Sequence, residues 1–304
     1  MNNFDETIYC DRDTEILSKV EHAPVQITDD VKIIFTDVDT DYAYTRYVDK
    51  FYFYKNDTII GQSLRHYGEY TELEIELLKN FIKPHWAIYD IGANIGYHTV
   101  AFAKLGKHVY AFEPNKKNLK LLEKNTKKLE NVTVYDVACS NSVGTLHVQD
   151  FDTNVPGNYG EMLIKEDGQE CKSITIDELD DVYGPDLLKI DVEGHELQVL
   201  RGAIKTITEF NPVIFYEAHG TELAEIYDLL TELGYRLYWY PCPNYNPRNY
   251  KQNRMNIFGH GGVVNILAMP KEHKKISNLV EVINRDDTIQ NAFKRVQENG
   301  LTDK

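Results

Sequence analysis

The chain has 304 residues, enough for one large α/β domain or a domain with an appendage. Its 42% apolar content is that of a globular protein, so disorder does not describe the whole. A formal net charge of −15 repels phosphate backbones and argues against general nucleic-acid binding. The one basic cluster, KEHKK at 271–275, reads as a solvated face.

In chain order, the acidic start MNNFDETIYCDRDTE has no apolar core segment, so no signal peptide is expected. VKIIFTDV (31–38) and YVDKFYFYKNDTII (47–60) are β-branched and aromatic, predicting a β-rich extension over 1–67. TELEIELLKNFI (71–82) changes to helical spacing through Leu73, Leu77, Leu78 and Phe81, and Pro84 follows its end. Strands at 87–91, 108–112 and 132–138 then alternate with helices at 96–105 and 115–129. GTLHVQ is irregular and 150–172 is a loop. A strand at 186–192, a helix at 195–208, a strand at 212–218 and a helix at 221–233 follow. The last strands, 235–240 and 263–269, have no helix between them, so one should run antiparallel. This pattern predicts a doubly wound, mostly parallel, seven-stranded Rossmann-like sheet over 68–270. The tail 271–304 reads as helical through Leu279, Val282 and Ile283. No apolar run approaches the ~18 residues of a membrane span. Cys10, Cys139, Cys171 and Cys242 have no metal-ligand spacing, which fits reduced thiols in the cytoplasm and no metal.

The stretch AIYDIGANIGYHTV (87–100) is a strand ending near Asp90, a turn through Gly92, Asn94 and Gly96, and a helix start. A dinucleotide turn has Gly-x-Gly-x-x-Gly, whereas Asn94 takes the middle glycine and Tyr97 the third position. Asp90 beside the turn would repel a diphosphate. A ligand with a cationic amine and a carboxylate, such as the methionine part of S-adenosylmethionine, fits better. Glu113, ending the next strand in YAFEPN, stands where such sheets present an acid to a ribose diol, or else it caps a helix. LLKIDVEGHE delivers Asp191, Glu193 and His195 at a strand end. In a 3-2-1-4-5 sheet the first and fourth strands adjoin, so Asp90–Gly96 and Asp191–His195 should share one cleft. His195 alone could equally be a solvated helix-start residue; Tyr97 and His98 read as packing residues.

YGEYTELEIELL, YDIGANIGYHT, AFEPN, LLKIDVEGHE and NIFGHGGVVNILAMP together resemble the FkbM family of S-adenosylmethionine-dependent methyltransferases, over roughly residues 61–270. The resemblance implies a class I methyltransferase fold and O-methylation of sugar or polyketide hydroxyls. It also implies that Glu72, Asp90, Gly92, Asn94, Gly96 and Glu113 surround S-adenosyl-L-methionine, with Asp191 nearby. Asp191, Glu193 and His195 would line the methyl-transfer site, with His195 or Asp191 as the base.

The 241–262 segment is too long for a hairpin turn. Tyr245, Asn246, Asn249 and Asn253 offer it hydrogen bonds to a polyhydroxylated small-molecule or carbohydrate acceptor. Competing readings are an NAD(P)-dependent oxidoreductase, a nucleic-acid amino-methyltransferase and a non-catalytic cofactor-binding module. The second would carry an Asn/Asp-Pro-Pro-Tyr/Phe motif after the fourth strand, where this chain has DVEG. Oligomeric state is not legible.

Overall fold

A computed structural model describes residues 39–180, 182–218 and 222–298. The expected strand at 31–38, the N-terminal lead and Cys10 lie outside these. Thr40–Ala43 (β1) and Phe51–Tyr54 (β2) pair antiparallel. The expected continuation of β2 toward residue 60 is instead a turn and a helix. Asp57 accepts the Ile59 N–H at 2.8 Å, and Ile60–Tyr67 (α1) follows. The apolar side of α1, with Ile60 and Leu64, packs on Phe51 and Phe53, so this segment joins a core that also holds Tyr97 and Val100. Glu72–Leu78 (α2) comes next.

The central sheet begins with Ala87–Ile91 (β3), Tyr97–Leu105 (α3), His108–Phe112 (β4), Lys116–Thr126 (α4) and Val132–Tyr135 (β5). It resumes with Leu187–Ile190 (β9), Glu196–Arg201 (α5), Ile204–Phe210 (α6), Val213–Glu217 (β10) and Leu223–Glu232 (α7). Tyr235–Pro243 (β11) and Gly262–Pro270 (β12) close it. Between β5 and β9, the expected irregular stretch and the end of the expected loop at 150–172 contribute to a three-stranded sheet of Ala138–Cys139 (β6), Gly144–Val148 (β7) and Gln169–Ile174 (β8).

The spatial order is β5-β4-β3-β9-β10-β12-β11, with Val280–Glu281 (β13) added beside β11. The sheet is therefore the expected doubly wound one with an eighth, two-residue edge strand. β3, β4, β5, β9 and β10 are mutually parallel, and β12 runs antiparallel to both β10 and β11. All five residues of β3 and all four of β9 are buried, as strands covered on both faces must be.

The expected single helix over 195–208 is two. Asp177 accepts the Lys205 and Thr206 N–H groups at 3.0 and 2.8 Å, capping a fresh start at α6. The expected helical tail is largely strand and loop. Val280 and Glu281 pair with Trp239 and Tyr238, and among the described residues of the tail helix appears only at Ile289–Glu298 (α8).

Candidate active site

β3 and β9 are neighbours whose following chains leave in opposite directions, so their carboxyl ends open a crevice. Gly92 and Ala93 donate their N–H groups to the Phe112 carbonyl at 3.0 and 2.9 Å, strapping the glycine loop onto the end of β4. Gly92 has φ +75°, and a Cβ there would lie 1.7 Å from the Asp191 carbonyl oxygen. Only glycine lets the two strand-end loops pass this closely.

Glu113 is 5% exposed and is gripped by two backbone donors. Asn94 N–H reaches Oε2 and Asn115 N–H reaches Oε1, both at 2.8 Å. Burial pushes its pKa up to about 7, against the pull of those hydrogen bonds. Glu113 does not cap α4. Asn115 does, accepting from Lys117 and Asn118 N–H at 2.9 and 3.2 Å.

The cleft, about 890 Å³ counting the open solvent at its mouth, is lined by Gly92, Asn94, Glu113, Asp191, Glu193 and His195 together. Val137, Ala138 and Cys139 form its wall beyond β5, Met162 and Ile164 a second side, and Tyr70 and His98 a third. Asp191 and Glu193 line it, with Glu217 close by but outside the lining. Carboxylate oxygens of Asp191, Glu193 and Glu217 lie within 4.8 Å of one another, a spacing that a divalent cation or shared protons would relieve. Glu193 and Glu217 are held well above the usual carboxylate range, by burial first and then by Asp191, with Glu161 adding to the shift of Glu193 and Glu193 to that of Glu217. Glu217 Oε2 is buried without a hydrogen-bond partner among the described residues.

Lys189, 3% exposed, is the cation beside Asp191 in this cluster. Its ammonium lies 3.3 Å from Asp191, 3.4 Å from Asp90 and 3.2 Å from the Gly92 carbonyl. Burial works against its charge, but Asp191 and Asp90 raise its pKa. His195 Nε2 sits 2.9 Å from Ser140 Oγ, and burial lowers its pKa. The neutral ring is therefore favoured at pH 7.

Other residues singled out by sequence lie elsewhere. Asp90 is fully buried under the loop, accepting from Thr99 Oγ1 at 2.6 Å, and does not line the cleft. Gly96 caps α3 behind it. Glu72 accepts from Tyr47 and Tyr97 hydroxyls at 2.5 and 3.0 Å, with Arg46 at 3.5 Å, so its carboxylate is already engaged and stands behind Tyr97 rather than lining the cleft itself. Neighbouring Glu74 reaches into the cleft wall through His98 Nε2 at 3.1 Å.

The 241–262 loop corrects a further expectation. Asn246 donates to buried Glu69 at 2.8 Å, and Asn249 donates to the Asn246 and Asn253 carbonyls at 3.0 and 2.7 Å. Asn253 donates to the His66 carbonyl at 3.2 Å, and Tyr245 packs on Tyr67. Asn253 and Tyr245 fasten the loop to α1, Asn246 fastens it to the turn that follows, and Asn249 ties the loop to itself; none of the four lines the cleft.

Lys189, Glu217, Tyr70, Met162 and Ile164 escaped the sequence reading. A lysine inside the apolar run LLKI was the one available signal, since a buried lysine demands carboxylates nearby.

An open sheet of this order, with a glycine loop and an acid ending its first two strands, defines a class I methyltransferase fold. Residues 90–237 match the family model of the Methyltransferase FkbM domain. A curated relative, hexuronic acid methyltransferase AglP of Haloferax volcanii, is 29% identical over 161 residues, 52% of this chain and 66% of that protein. A solved structure of methyltransferase FkbM from Methylobacillus flagellatus is 18% identical with a TM-score of 0.40, over 61% of this chain and 44% of that one. Precorrin-6y C5,15-methyltransferase from Geobacter metallireducens is 17% identical with a TM-score of 0.44, over 66% and 87%. Among the described residues no helix is long and apolar enough to cross a membrane.

Proposed function

We propose that this chain is an S-adenosyl-L-methionine-dependent O-methyltransferase acting on a hydroxyl of a small molecule or glycan, a sugar-type acceptor being favoured. The observation that carries the reading is Glu113. Its two oxygens are each oriented by one backbone N–H and retain lone pairs for a ribose diol at the cleft wall. The Gly92 close approach brings the Asp191 loop against the glycine loop, so that both line one cleft. Asp191, lining the cleft, suits a cationic cofactor and opposes the diphosphate of NAD(P). AglP, named for methylating a hexuronic acid, supports a sugar acceptor.

When bound, the cofactor supplies a methyl group on a cationic sulfur. Gly92, Asn94 and Glu113 would hold its methionine and ribose ends, and Val137–Cys139 its adenine edge. The chain's own task is to bring an acceptor hydroxyl within ~3–3.5 Å of that methyl in line and to remove its proton. Neutral His195 accepts the proton, and Asp191, fixed by Lys189, orients the hydroxyl. Glu193 is the alternative base but must first lose its own proton. The three described cysteines are buried and unpaired, which supports a reducing, cytoplasmic setting.

The direct test is incubation with methyl-labelled cofactor and a panel of neutral and acidic glycosides, read by mass spectrometry. A gain of one methyl on a sugar hydroxyl is expected. Label transfer to an amine or carbon only, or to no acceptor while cofactor binds, would contradict O-methylation.

A further inference from the structure

Between Glu232 and Glu272 the chain has no Asp or Glu, although it holds 48 in all. The 241–262 loop places Arg248, Lys251 and Arg254 from this stretch on the surface. A depression apart from the cleft is lined by Arg46, Arg248, Asn249, Tyr250, Gln252 and Arg254, with Pro247. Arg46 is fixed, donating to Glu69 at 3.1 Å and to the Arg248 carbonyl at 2.9 Å, with its guanidinium 5.8 Å from the Tyr250 ring centre. Tyr250 is fixed by its own N–H to Glu69 at 2.6 Å. Glu69 and Glu72 offset the Arg46 charge. Arg248 has only Glu76, at 3.4 Å, and its side chain is 80% exposed. Arg254 makes no ion pair among the described residues.

The geometry points to this depression as the seat of an oxyanion, a carboxylate or phosphate carried by a saccharide acceptor. The inference rests on the proposed O-methylation. Guanidinium groups match planar oxyanions with two parallel hydrogen bonds, and Arg248 and Arg254 are the cations here with least competition. The catalytic cleft has the opposite sign. An acceptor bearing both a hydroxyl and an anion is therefore oriented, with its negative group repelled from Asp191 and drawn to the arginines. The two sites are one carboxylate apart, since Glu72 binds both Arg46 on the depression and Tyr97 on the cleft.

The test is calorimetric titration with methyl glucuronide, glucose 1-phosphate and methyl glucoside, on the wild type and on the Arg248→Ala/Arg254→Ala double variant. Both positions are exposed, so the variant should fold. At least one anionic sugar should bind about tenfold or more tighter than the neutral one, in a salt-sensitive manner. The double variant should lose that preference while retaining its affinity for S-adenosylhomocysteine. Preference for the glucuronide alone assigns a carboxylate, and preference for the phosphate alone assigns a phosphoryl group. Equal binding of all three sugars, or an anionic preference untouched by the double variant, overturns the inference. Failure of the wild type to bind S-adenosylhomocysteine would instead remove the functional reading beneath it.

Discussion

Asn94 donates its backbone N–H to Glu113 Oε2 at 2.8 Å, so the loop leaving β3 and the acid ending β4 form one unit. Glu113→Gln replaces an oxygen by an NH2 group facing a backbone donor. It should weaken S-adenosylhomocysteine binding by tenfold or more, since a charge-assisted hydrogen bond contributes about 1.5–3 kcal/mol. Calorimetry on the two proteins checks this, and an unchanged Kd would take the ribose away from Glu113.

Glu113 also makes a pH prediction. Its pKa rises from 4.5 in the unfolded chain to about 7 in the fold, because burial penalises the charge. The native state then holds a proton that the unfolded state has lost, so stability falls as pH climbs from about 4.5 to 7. The shift is worth about 3 kcal/mol. Urea denaturation at pH 5 and pH 8 should show a larger loss in the wild type than in Glu113→Gln. Ribose hydroxyls favour the ionised form, so cofactor affinity should rise with pH up to about 7 and then level off.

Gly92→Ala forces a Cβ to 1.7 Å from the Asp191 carbonyl oxygen at φ +75°. The two loops must separate, at a cost of about 3 kcal/mol or more. Gly259 has φ +58° but no atom within 4 Å of its would-be Cβ, so Gly259→Ala should cost only about 1 kcal/mol. Thermal unfolding of both variants separates steric approach from backbone strain. Equal losses would remove the close approach as the reason for the glycine.

Burial depresses the His195 pKa below its usual 6.5. With His195 as base, kcat should rise with pH below 6.5 and be flat above neutrality, and His195→Ala should lower it ~10²–10⁴-fold. A limb still rising on the alkaline side would move the base to the Glu193–Glu217 pair, whose pKa values are raised.

Asn246 supplies a donor to buried Glu69. Asn246→Ala should therefore destabilise the fold by about 1–3 kcal/mol while leaving S-adenosylhomocysteine affinity intact. Lost turnover without lost stability would restore an acceptor contact for this residue.

The sheet was legible because β3, β4, β9 and β10 are short apolar runs bounded by turn residues, and because helices separate most of them. The split between α5 and α6 was not, since Asp177 caps the second helix from about 28 residues upstream while the apolar period runs on. The small sheet was missed because β7 is mostly exposed and the inward residues of β8 are Cys171 and Ser173, which give no apolar alternation. At the site, Gly92, Glu113 and Asp191 follow from strand ends and turn chemistry, which are local. Whether Asp90, Glu72 or the loop asparagines face a ligand or a neighbour depends on contacts between distant segments, such as Thr99 with Asp90 or Glu69 with Asn246. Glu217 became visible only when register put β10 beside β9.

Titration of the purified protein with S-adenosylhomocysteine and with NAD tests the central claim most directly. The account predicts saturable binding of S-adenosylhomocysteine at one site, weakened by Glu113→Gln, and no comparable heat with NAD. Binding of NAD with no response to S-adenosylhomocysteine would contradict it.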